Sequence, residues 1–142
     1  MAADRSISNH PFIKKFLGSN RLVVVDGGSR GALFEPFDQV DKSLLTVLRF
    51  EPDPNAPVEK SEGEVVFNKG LWKDESTIDL NLAVNPATSS VYPANEGLLN
   101  KFNDRIGYPP RKAAEVIKVD CIDIDTAVKK EGLPLVDFIK LD

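Results

Sequence analysis

The sequence predicts an α/β fold built on an open, mostly parallel sheet. Leu22-Val23-Val24-Val25 and Leu44 to Phe50 are short apolar runs, the pattern of strands buried on both faces, and Val136 to Leu141 reads as the last strand. Each run closes on an acid or a glycine turn: Asp26-Gly27-Gly28, Glu51 and Asp142. The stretch between the first two, Ala32 to Lys42, is long enough for a crossover carrying a short helix, which parallel strands need.

Taken in order, residues 9–17 read as a helix that Asn9 caps and Gly18 ends, with Phe12, Ile13, Phe16 and Leu17 as its buried face. The strand at Leu22 and the strand at Leu44 follow, and Glu64 to Phe67 reads as the next. Pro52 to Pro57 is too proline-rich to be helical throughout. Ser76 to Val84 alternates, with Ile78, Leu80, Leu82 and Val84 on one face, so it reads as a half-buried antiparallel strand that Asn85-Pro86 ends. Asn95 to Asp104 has Leu98, Leu99, Phe102 and then Ile106 at helical spacing, and Gly107-Tyr108-Pro109-Pro110 breaks it. Val116 to Ile124 alternates again. Asp125 caps a short helix through Lys130, terminated by Gly132 and Pro134. The expected organisation is an N-terminal helical segment over residues 1–20 and one sheet-based domain over 21–142.

A chain of 142 residues with 42% hydrophobic and 28% charged residues suits one globular domain. The net charge of −4, with no lysine and arginine cluster to reverse it, argues against a nucleic-acid partner. A single cysteine, Cys121, excludes an internal disulfide, and with His10 as the single histidine it excludes a Cys/His zinc site. No metal site is expected. No apolar run approaches the roughly 20 residues that span a bilayer, and no secretory h-region opens the chain, so a reducing, cytoplasmic setting is expected. His10 reads as a surface cap, Cys121 as packing, and Trp72 as core or lid.

In open α/β sheets ligands sit at the carboxyl ends of the strands, where Asp26, Glu51 and Asp142 stand. Asp26-Gly27-Gly28-Ser29-Arg30-Gly31 has the spacing of a dinucleotide-binding glycine turn, with Asp26 in place of the first glycine. A carboxylate there repels a pyrophosphate and favours a ligand carrying an ammonium and a sulfonium. One such charge pair is worth roughly 4 kcal/mol at about 4 Å and an effective dielectric of about 20, before desolvation. Glu51, about 25 residues on, suits two ribose hydroxyls because a carboxylate is an acceptor with two oxygens. Arg30 is either a solvated loop charge or a partner for a ligand carboxylate.

These segments resemble the FkbM family of S-adenosylmethionine-dependent methyltransferases. The matching stretches are Val25 to Gly31, Phe50-Glu51-Pro52-Asp53-Pro54, Asn85 to Tyr92, and Asp137-Phe138-Ile139-Lys140-Leu141-Asp142. The turn departs from the commoner family form D-x-G-A-N-x-G in having Ser29-Arg30 and a glycine one place earlier. The resemblance implies a Rossmann-like methyltransferase sheet with additional antiparallel strands. It implies S-adenosyl-L-methionine as methyl donor, with Asp26, Gly27, Gly28, Ser29, Arg30, Gly31 and Glu51 around it. It implies a small-molecule acceptor whose hydroxyl, on a sugar or secondary metabolite, is methylated, with Asp142 at the reacting end. It also implies further strands beyond Asp142, so the sheet is expected to be incomplete, and an open apolar edge at Phe138 to Leu141 invites a homo-oligomer. Two other readings stand beside it: a nicotinamide-dependent oxidoreductase domain, and a non-catalytic remnant or interaction module.

Overall fold

The computed structural model describes residues 11–142, with the side chains of Pro11, Ile13 and Lys14 left out of the description. Asn9 and His10 therefore lie outside the described residues. The elements are α1 (Pro11–Leu17), β1 (Leu22–Gly27), β2 (Leu45–Phe50), β3 (Glu64–Phe67), β4 (Gly70–Leu71), β5 (Thr77–Ala83), α2 (Glu96–Leu99), α3 (Tyr108–Arg111), β6 (Ala113–Ile122), α4 (Ile124–Lys130) and β7 (Phe138–Leu141).

The chain is α/β, with a four-stranded sheet in the order β3-β2-β1-β7 and a three-stranded sheet in the order β4-β6-β5. Every pairing in the first sheet is parallel, with Val24 opposite Val47 and Phe138, and Leu48 opposite Val65. The last strand thus lies beside the first. In the second sheet β5 runs antiparallel to β6, while β4, which no periodicity announces in two residues, runs parallel to it.

The inward runs of β1 and β2 divide their apolar residues between two faces. Val25, Leu48 and Phe50 pack with Ile122 and Ala127 on one side; Val24, Leu45 and Val47 pack with Leu33 on the other. Leu80, Val119 and Cys121 form a third cluster under the second sheet, with Trp72 against it. Cys121 is packing, as its place in an alternating strand predicts.

Several local expectations are corrected. Phe12 and Phe16 stack on one another but are 62% and 75% exposed, so that face of α1 is not buried by the described residues. The crossover from β1 to β2 contains two 3-10 turns, Phe37–Gln39 and Lys42–Leu44, and no α-helix. Its apolar side chains do the covering instead, with Phe34 and Phe37 against the second cluster. The helix expected over 95–104 is a single turn, capped by Asn95, and Leu98, Phe102 and Ile106 stay exposed. Helical spacing there finds no face to pack on, and a helix this short gains little without tertiary contact. Gly107 opens a helical turn as well as ending one, because Pro109 and Pro110 fall in the first turn of α3, where no amide partner is lost. The cap of α4 is Asp123, which accepts from the Thr126 amide at 2.8 Å; Asp125 lies in the first turn.

Candidate functional site

The charged residues of the site come from one row of the sheet. Asp26 is paired in register with Arg49 on β2 and with Lys140 on β7, so a positive, a negative and a positive side chain stand on adjacent parallel strands. Lys140 Nζ lies 3.1 Å from Asp26 Oδ1 and 2.7 Å from Asp142 Oδ2, and Arg49 Nε lies 3.8 Å from Asp26 Oδ2. Asp26 is buried. The charge expected to select a cationic ligand is therefore already faced by two cations of the chain itself.

Immediately beyond this row the chain turns. Gly28 and Ser29 both donate to the carbonyl of Phe50, which fastens the glycine turn to the end of β2. Gly28 adopts φ +75°, and a Cβ there would sit 3.1 Å from Asp142 Cβ, so both backbone freedom and close approach require glycine. Gly31, at φ +80°, needs glycine for its backbone alone. The Asp142 amide donates to the Gly27 carbonyl, which keeps the terminal acid beside the turn.

Glu51 follows β2 directly. Its Oε1 accepts the amide of Asp53 at 2.9 Å. Burial pushes its carboxyl above the ordinary range, against the pull of the Asp53 amide and of Arg30. Arg30 pairs with Asp53, so its guanidinium is held by a carboxylate of the chain. Lys140 is held above its ordinary value: burial opposes its charge, but the hydrogen bonds to Asp142 and Asp26 outweigh it.

A cavity of about 1080 Å³ collects these groups. Asp26, Gly27, Gly28, Ser29, Arg30, Glu51 and Asp142 line it, together with Asp53 and Lys140. Gly31 is not among its lining residues. The opposite wall comes from the second sheet and the segment after β5: Trp72, Ile78, Leu80, Ser89, Ser90 and Tyr92. The strand-end acids are thus brought together at the carboxyl ends of three neighbouring parallel strands. No protein-family model, curated protein or solved structure matches the chain.

The lining offers an acceptor, a bare turn and an unpartnered hydroxyl to a polar ligand. Glu51 is an acceptor on the cavity wall, the turn leaves no side chain at Gly28, and the buried Ser29 hydroxyl lacks a partner among the described residues. The volume exceeds the roughly 300–1,000 Å³ that encloses one drug-sized ligand. Among the described residues no group of His, Cys, Asp and Glu could hold a metal ion, and no helix is long and apolar enough to cross a membrane.

Lys140, Asp53 and Arg49 are absent from the sequence-derived site. Lys140 and Asp142 flank one residue on a strand, so they share a side, and that spacing was a usable signal. Arg49 announces itself only as a charge inside an apolar run. Which strand faces it is a matter of register.

Proposed function

We propose that the protein is an S-adenosyl-L-methionine-dependent methyltransferase with a Rossmann-like sheet, acting on a hydroxyl of a small sugar or secondary-metabolite acceptor in the cytoplasm. One observation supports this reading most: the Asp26–Arg30 turn, Glu51 and Asp142 line a single cavity at the carboxyl ends of β1, β2 and β7. That is where open α/β sheets receive ligands.

Bound there, the donor supplies a methyl group already activated by sulfonium. The protein's part is positioning, and positioning alone lowers barriers by several kcal/mol. Glu51 accepts the ribose hydroxyls. The glycine turn lets the backbone come close. Asp142, held through Oδ2 by Lys140, offers its other carboxylate oxygen to orient the acceptor hydroxyl and take its proton. Trp72, Ile78 and Leu80 give the cavity an aromatic and apolar wall.

Calorimetry with S-adenosylhomocysteine and with NAD tests the reading. Wild type is expected to bind the former in preference to the latter. Glu51→Ala is expected to weaken binding by about tenfold or more, the loss that follows removal of hydrogen bonds to a charged group. Equal affinity in the two proteins removes Glu51 from the ribose role, and preference for NAD replaces the reading with the oxidoreductase one.

A further inference from the structure

Arg49 is fully buried, with 0% of its surface exposed, in the middle of the most apolar part of the sheet. Its guanidinium meets groups from two separate stretches of chain. Nη2 donates to the carbonyl of Ser29 at 2.8 Å and to that of Gly31 at 2.7 Å. Nη1 donates to the carbonyl of Glu59 at 2.6 Å and to Glu64 Oε2 at 3.1 Å. A buried guanidinium with this many partners is stable where a lone charge would not be.

The partners on the turn have a consequence for direction. In a planar trans peptide the carbonyl of one residue and the amide of the next point opposite ways. Drawing the Ser29 and Gly31 carbonyls onto Arg49 turns the Arg30 and Ala32 amides away from it. The other amides of the turn are used internally: Gly28 and Ser29 donate to Phe50, and Gly31 donates to Pro57. The Arg30 and Ala32 amides donate to no group among the described residues, and both residues line the cavity.

From this geometry we infer that Arg49 is the positioning residue of the glycine turn: it holds two peptide units so that the Arg30 and Ala32 amides form a donor pair for an acceptor group of the bound ligand. Arg49 itself touches no ligand. Its fork matters more than its charge, since a lysine ammonium cannot reach carbonyls and a carboxylate on both sides at once. The inference rests on the cavity being a donor site, but its orientation claim does not.

The test uses amide-resolved ¹⁵N NMR together with calorimetry on wild type, Arg49→Lys and Glu64→Gln. Arg49 meets Glu64 through Nη1 and the turn carbonyls through Nη2, so Glu64→Gln removes the carboxylate charge facing the guanidinium and leaves both turn carbonyls engaged. Arg49→Lys is expected to move or broaden the Arg30 and Ala32 amide signals and to weaken S-adenosylhomocysteine by about tenfold. Glu64→Gln is expected to keep both the signals and the affinity. In wild type, addition of S-adenosylhomocysteine is expected to shift the Arg30 and Ala32 amides, a measurement that needs no variant to fold. Unmoved amides in ligand-bound wild type, unchanged amides in Arg49→Lys, or equal losses in Arg49→Lys and Glu64→Gln would each overturn the inference. If wild type binds no S-adenosylhomocysteine, the methyltransferase reading fails, and the amide signals of Arg49→Lys alone decide the role of Arg49.

Discussion

Glu51 shows how a single buried acid ties stability to pH. Burial raises its carboxyl pKa in the folded protein. The folded state then holds a proton that the unfolded chain has released, so stability falls as pH rises from about 4.3 through the raised value. Glutamine in its place keeps an acceptor for the Asp53 amide and has nothing to ionise. Glu51→Gln is therefore expected to melt higher than wild type at pH 7, with the gap closing toward pH 4. A gap independent of pH would show that ionisation of Glu51 has no part in it. Asp26 is the contrasting case. Its sequence neighbourhood suggests a carboxylate waiting for a cation, whereas Lys140 and Arg49 already stand beside it. Of the acids that line the cavity, Asp26, Asp53 and Asp142 are each ion-paired, whereas Glu51 forms no ion pair with the described residues.

At the scale of elements, apolar runs and alternation foretold the strands well, and the exceptions have local causes. The β5–β6 ladder runs in even register from Thr77 to Leu82, then shifts between Leu82 and Ala83, where Ala114 of β6 is the extra residue. Past that point Ala83 is buried and Val84 is exposed, so the apolar face read from Ile78 does not extend to Val84. Helix α4 is short, yet Asp123 fixes its start through both the Thr126 amide and hydroxyl, and Ala127 seats it against the sheet. Leu48 belongs to the same cluster as Ala127 and has no exposed surface. Leu48→Ala is expected to destabilise the protein by about 2–5 kcal/mol in urea denaturation, the range for emptying a buried leucine site. A change below about 1 kcal/mol would mean that the sheet and α4 collapse freely into the gap.

Across the whole molecule, the cavity draws its lining from two sheets of different kinds. The parallel sheet supplies strand ends, turns and charges; the second sheet supplies Trp72, Ile78 and Leu80. Among the described residues the outer edge of β7 is unpaired, and Phe138, Ile139 and Leu141 are substantially exposed along it. Unpaired apolar edges seek another strand. Concentration-dependent self-association is therefore expected in sedimentation velocity, and Ile139→Lys is expected to abolish it. A wild type that sediments as a monomer at every concentration would rule this out.

The sequence by itself determined the central strands β1 and β2, the places where they end and the acids standing there, because burial on both faces leaves an apolar run that local composition displays. It also marked the turn at Gly28, where only a glycine has both the backbone freedom and the room. Tertiary structure alone decided that Arg49, Asp26 and Lys140 form one row, since register between strands separated by more than twenty residues is set by packing. It likewise decided that the segments around Leu98 and Phe102 do not become a long helix: spacing offers a face, and only a neighbour to bury it makes a helix.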